Sequence, residues 1–231
     1  LLISNGATID AIDSREITPL LKAVVTENLD ICQLLISKGA TIDAIYFITE
    51  TPLHYAAFYG KPKACQLLIS NGAIIYASDS SNSTPLHLAA QNSLLDPQDI
   101  CQLLISNAAT IDATDSREIT HLLKAAVTEN LDICQLLISK GATIDAIYFI
   151  TETPLHYAAF YGKVKACQLL ISNGATINDS NSSNSTPLHL AAQNSHLDVC
   201  RLLVSKGAGL NSLKSNNETP LMLVFFSNRS R

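Results

Sequence analysis

The chain has 231 residues, 47% of them hydrophobic and only 15% charged, with a net charge of −5 and an isoelectric point near 5.6. This balance suits a folded chain with a sizeable apolar interior, and it offers no positive field to attract nucleic acid or anionic lipid. The longest apolar run, residues 221–226, is far too short to cross a bilayer, so no membrane insertion is expected.

The chain opens LLISNGA (1–7) rather than with Met, so the natural N-terminus is expected upstream. A repeated unit then begins. Thr18, Thr51, Thr84, Thr120, Thr153, Thr186 and Thr219, all but Thr120 followed by Pro, stand 33, 33, 36, 33, 33 and 33 residues apart. A fixed period of this length predicts a stacked array rather than a globule with one centre. Each Thr-Pro predicts a helix start, since Thr caps and Pro at the first position gives up no useful donor. In the unit 51–83, Leu53, Ala56 and Ala57 share one face, and the alanines let a neighbouring helix come close. After a tight turn, Ala64, Leu67 and Leu68 line a second helix that Gly72 closes in a left-handed cap. No unit this small buries its apolar face alone, so stacking is obligatory. The spacing predicts a single array, 1–231. It has a trailing half unit 1–17, full units 18–50, 51–83, 84–119, 120–152, 153–185 and 186–218, and a leading half unit 219–231.

TPLHYAA at 51–57 with LLISNGA at 67–73, and TPLHLAA at 84–90 and 186–192, resemble ankyrin repeats, over essentially the whole chain. The resemblance implies an all-α solenoid of paired antiparallel helices with hairpin-like fingers. It also implies a concave face, built of fingertips and first helices, that contacts partners. Some positions depart from the family pattern. Where the family usually has Gly at the fingertip, this chain has Glu16, Thr49, Asn82, Glu118, Thr151, Asn184 and Asn217. Glu and Thr tolerate a left-handed backbone poorly, so altered turns are expected at several tips. Near the middle, LLDPQDI at 94–100 adds three residues to a turn, Ala108 replaces the capping Gly, and His121 replaces Pro. Together these predict a soft joint over residues 94–121.

A longer period lies above the first: residues 1–93 and 103–195 differ at nine of 93 positions, so a block of three units has been copied. Cys32, Cys65, Cys101, Cys134, Cys167 and Cys200 occupy one place in successive second helices. Equivalent atoms of stacked helices lie on the order of 10 Å apart, whereas a disulfide needs Cα atoms within about 7 Å. The cysteines read as free thiols packed as small apolar residues, which points to a reducing, intracellular and cytoplasmic setting. No C-x-x-C or H-x-x-x-H pair suggests a metal site. His54, His87, His156 and His189 are the fourth letter of TPLH, which the resemblance makes structural, bonding around the helix start. His121 and His196 fill other repeat slots. No phosphate loop, dinucleotide fingerprint or nucleophile–base constellation stands out, so the chain reads as a non-enzyme without a cofactor.

The stretch IYFITETPLHYAAFYGK at 45–61 recurs letter for letter at 147–163, and the two copies hold ten of the thirteen aromatic residues. Tyr55, Phe58 and Tyr59 share a helix face away from Leu53, Ala56 and Ala57. Carried over position by position, the resemblance puts Phe47, Ile48, Phe58 and Tyr59 in partner-contact slots, with Tyr46 adjacent and Tyr55 nearer the seam. The copy gives Phe149, Ile150, Phe160 and Tyr161, with Tyr148 adjacent. Two readings stand: a partner-binding patch, or local packing of the rings on one another. Arg15 and Arg117 are rim candidates. The expected function is a non-catalytic protein-interaction scaffold for protein partners, with no nucleic-acid role. The alternative is a regulatory segment of a larger protein whose activity (channel, kinase or effector) lies outside this chain. Self-association through unsealed array ends is a further expectation, since the apolar run 221–226 has no following helix to cover it.

Overall fold

Each Thr-Pro step starts a helix by satisfying amides that the first turn leaves without partners. In the computed structural model, which describes residues 2–45, 49–92, 97–148 and 151–227, Thr51 is extended at φ −95° and ψ 166°. Its hydroxyl accepts from the His54 N–H, while Nδ1 of His54 accepts from the Thr51 N–H at 3.1 Å. The same reciprocal cap forms at Thr84–His87, Thr153–His156 and Thr186–His189. Thr18 and Thr120 precede leucines at that spacing, so their hydroxyls act alone, accepting from Leu21 and Leu123 N–H at 3.3 Å.

Among the described residues, a 3-10 turn at Ile3–Asn5 precedes thirteen α-helices. They are α1 Pro19–Val25, α2 Leu29–Ser37, α3 Pro52–Phe58, α4 Pro62–Ser70, α5 Pro85–Gln91, α6 Pro97–Ser106 and α7 His121–Thr128. After them come α8 Leu131–Ser139, α9 Pro154–Phe160, α10 Val164–Ser172, α11 Pro187–Gln193, α12 Leu197–Ser205 and α13 Pro220–Ser227. Odd-numbered helices follow the Thr caps and even-numbered ones follow the tight turn. The second helices end in a left-handed residue. At Gly39 (φ 91°), the N–H of Gly39 donates to Ile36 and that of Ala40 to Leu35, at 2.9 and 3.0 Å. Ala108 takes the same cap at φ 70°, with matching bonds of 3.1 and 3.0 Å.

The fingertips correct one expectation. Glu16, Thr49, Asn82, Glu118, Thr151, Asn184 and Asn217 all adopt the left-handed backbone, at φ between 55° and 64°. Bonds on both sides of the turn hold it there. Asp13 N–H donates to the Ile17 carbonyl at 3.1 Å, and Glu16 N–H to the Asp13 carbonyl at 3.0 Å. Asp13 Oδ1 in turn accepts from Arg15 and Ile17 N–H. Before Thr153 the finger is closed by two backbone bonds between Tyr148 and Glu152, 2.8 and 3.2 Å long.

The chain divides into two compact units, Leu1–Ser116 with α1–α6 and Arg117–Arg231 with α7–α13. Their boundary falls inside the segment 94–121 expected as a soft joint, of which residues 94–96 lie outside the described residues. In the first unit α1 packs on α3, α3 on α5, α2 on α4 and α4 on α6. In the second, α7, α9, α11 and α13 stack in turn, as do α8, α10 and α12. Leu53, Ala56, Ala64, Cys65 and Leu68 are fully buried, and so are Leu155, Ala158, Ala166, Cys167 and Leu170. Truncating one of these leucines to Ala costs about 2–5 kcal/mol. Carboxylates bridge neighbouring repeats: Asp10 accepts from the Thr41 N–H and hydroxyl, and Asp145 from those of Thr176.

Candidate functional site

Because Leu53, Ala56 and Ala57 turn one face of α3 into the core, the other face of this short helix carries its rings outward. Phe58 is 48% exposed and Tyr59 42%, while Tyr55 is half-buried. Phe58 stands edge-on to Tyr59 with centroids 5.1 Å apart, and Tyr59 stacks along Tyr55 at 6.2 Å. The copy on α9 repeats this: Phe160 is 40% and Tyr161 49% exposed, with an edge contact of 4.9 Å and a stack of 6.4 Å onto Tyr157. Tyr148, half-buried on the finger, meets Tyr157 edge-on at 5.1 Å. The rings therefore pack on one another and still present wide surfaces to solvent. Tyr46, Phe47, Ile48, Phe149 and Ile150 lie outside the described residues.

The inner ring of each window is tied to its finger. Tyr55 hydrogen-bonds Glu50, and Tyr157 hydrogen-bonds Glu152 and Tyr148. Burial, reinforced by the Glu152 charge, pushes the Tyr157 hydroxyl well above the ordinary tyrosine range, so it stays neutral.

In the first unit a groove of about 340 Å³ opens between the finger 13–17, α1 and α3, lined by Arg15, Ile17, Lys22, Val25, Tyr55 and Tyr59 among others. Asp13 organises its rim. The Arg15 and Ile17 amides, then Lys22 at 3.1 Å, hold its carboxyl down at about 2. Arg15, expected at the rim, is exposed there. Phe58 adjoins the groove through its edge contact with Tyr59. Lys22, Val25 and Thr26 were not singled out by sequence, although the repeat contains the signal. They stand four, seven and eight places after Thr18, the slots that Tyr55, Phe58 and Tyr59 fill after Thr51. In the second unit the corresponding slots hold Lys124, Val127 and Thr128 before the second window, and Lys124 is buried.

The buried histidines and thiols are engaged elsewhere. Since Nδ1 of His54 accepts from the backbone, its proton sits on Nε2, which donates to the Ser83 carbonyl at 3.1 Å. His156 and His189 reach the Ser185 and Ser212 carbonyls at the same distance. Burial lowers the pKa of all three, and with both nitrogens bonded they are ties between a helix start and the next finger, not general bases. Burial also pushes the Cys65, Cys101, Cys134 and Cys167 thiols up to about 12, so they hold no reactive thiolate at neutral pH.

A family model for ankyrin repeats in three copies matches residues 45–115, 97–181 and 155–230, and one for ankyrin repeats in many copies matches 20–69. The chain belongs to the ankyrin-repeat family. Among solved structures it is similar to the ankyrin repeat domain of Bcl-3, described as a unique member of the IkappaB protein family. That match has 32% identity and a TM-score of 0.79, and covers 90% of this chain and 93% of that one. It is also similar, in fold alone, to the human ASB11 ankyrin repeat domain, at 24% identity and a TM-score of 0.81, over 90% of this chain and 91% of that one. No curated protein sequence matches the chain. Ankyrin repeats are in general protein–protein interaction modules and typically non-catalytic. No described helix is long and apolar enough to cross a membrane.

Proposed function

We propose that this ankyrin-repeat chain binds protein partners through its fingertips and first helices, with the two aromatic windows as anchors. The observation that carries the reading is the exposure of Phe58, Tyr59, Phe160 and Tyr161 on helices whose opposite faces are closed by buried Leu and Ala. Aromatic rings on a rigid surface are favoured anchors, because they bring large contact area and lose little freedom on binding. Tyr148 flanks the second anchor, and Tyr46, Phe47, Ile48, Phe149 and Ile150 complete the windows by sequence. Arg15 and Lys22 give the first window a cationic rim over an apolar floor. The six full repeats from Thr18 to Glu218 act as units of one array, and six free cysteines, five of them buried, support a reducing cytoplasmic compartment.

The test compares wild type with a chain carrying Phe58→Ala, Tyr59→Ala, Phe160→Ala and Tyr161→Ala in affinity capture read by mass spectrometry. Loss of specific partners at an unchanged melting temperature is the expected result. A folded variant that keeps every partner refutes the site, and a much lower melting temperature assigns the rings to packing.

A further inference from the structure

The two windows are identical in their rings but not beneath them. One of the nine differences between the copies sets Asp79 against Asn181. In the second copy the Asn181 side-chain amide donates to Glu152 Oε1 at 2.9 Å, tying the finger that ends at Glu152 to the next finger. Asn181 is held in place by its own turn: its Oδ1 accepts from Ser183 and Ser185 N–H at 3.0 and 2.9 Å, and its N–H donates to the Ser185 carbonyl at 3.0 Å. Asp79 makes the same three bonds. Its Oδ1 accepts from Ser81 and Ser83 N–H, both at 2.8 Å, and its N–H donates to the Ser83 carbonyl at 3.0 Å. A side chain fixed by the same bonds directs its remaining terminal atom to the same place. In the first copy that atom is an oxygen, the correspondence directs it toward Glu50, the counterpart of Glu152, and Glu50 lies within the field of the Asp79 charge. Two ionised carboxylates have no hydrogen to share, so the tie of the second copy does not form while both are charged.

We propose that Glu50 and Asp79 form a proton-operated latch on the first aromatic window, closed when they share a proton and open when both are ionised, while Glu152–Asn181 is closed permanently. The proposal rests on the reading of the windows as the binding surface, whose regulation it names. The step takes one proton from solvent and forms one O–H bond, and the second carboxylate accepts that hydrogen across the two fingers. The surroundings favour the shared proton. Burial, then the Asp79 charge, raises Glu50 above the ordinary glutamate range, against the opposing hydrogen bond from Tyr55. His54 lies in the field of Asp79 and Asp43, but burial favours its neutral form, bonded to the Ser83 carbonyl, so it supplies no positive charge to relieve the pair. Because the folded pKa of Glu50 is raised, the latched form gains as pH falls through that value and loses as pH rises through it.

The test uses the whole chain without any partner, so its outcome is independent of whether the rings bind. Carboxyl titration by NMR, with amide protection factors for 49–51 and 79–83, is run on wild type, Asp79→Asn and Asn181→Asp. Asp79→Asn installs the residue that the second copy already carries in the same turn, so the fold is retained. The expected result is a Glu50 that titrates above the ordinary glutamate range in wild type, with finger protection rising as it takes its proton. Asp79→Asn removes the charge but not the burial, so it should lower the Glu50 titration in part and make protection independent of pH over that range. Asn181→Asp replaces the amide that donates to Glu152, so protection of the corresponding amides at 151–153 and 181–185 should become dependent on pH in the same way. If Glu50 titrates in the ordinary glutamate range in wild type, or if neither substitution changes the pH dependence of finger protection, the latch is overturned.

Discussion

Ala108→Gly should stabilise the chain, and the size of the effect follows from one backbone angle. Ala108 occupies the left-handed cap of α6 at φ 70°, where Gly39, Gly72, Gly141, Gly174 and Gly207 take φ between 91° and 97°. The methyl group draws the angle back toward the left-handed minimum open to L-residues, near 57°. Both cap bonds survive, at 3.1 and 3.0 Å, so the hydrogen bonding of the cap is unchanged by the substitution. Left-handed backbone costs a non-glycine residue roughly 1–2 kcal/mol. Glycine gives back about 0.4–1 kcal/mol through the entropy of the unfolded chain. The net expectation is a gain of roughly 0.5–1 kcal/mol. In a repeat array the gain is local before it is global, so it is read from hydrogen exchange of the α6 amides, with the urea midpoint at constant slope as the second readout. The reverse change, Gly72→Ala, meets open space around the new Cβ and should lose a similar amount. An Ala108→Gly chain that is no more stable would show that the cap stores no such strain.

Histidine and cysteine carry two further predictions. As pH falls through about 6.5 the unfolded chain takes protons that buried His54, His156 and His189 resist. Each then removes up to about 1.4 kcal/mol of stability per pH unit until its own lowered pKa is reached. Melting temperatures that hold level from about pH 7 to 5 would contradict the neutral-histidine caps. Thiol reagents at neutral pH should label half-buried Cys200 first and reach Cys65, Cys101, Cys134 and Cys167 only at the rate of opening. Rapid labelling of those four in the folded chain would refute their burial.

The helices were legible because the Thr-Pro spacing, the paired alanines and the Gly caps are local signals that agree with one another. The fingertips were less so. Propensity argued against left-handed Glu and Thr, but the Asp13 side chain and the Tyr148–Glu152 pairing supply bonds that outweigh that preference, and neither is visible in the tip residue itself. The outward turn of Phe58 and Tyr59 was legible from helical spacing alone. The groove around Lys22 and Tyr55 was not, because it needs a finger and two helices from adjacent repeats. The Asp79–Asn181 exchange was plain as a difference between copies. Its chemistry was hidden, since only the stacked fold sets a residue against a carboxylate 29 positions away.

The most direct test of the interaction surface is a hydrogen-exchange footprint of the chain with a partner recovered by capture. Slowed exchange is predicted in the fingers and first helices of both windows, across residues 13–26 and 49–59 and their copies at 115–128 and 151–161. Slowed exchange confined to the second helices, with α1, α3, α7 and α9 unchanged, would contradict it.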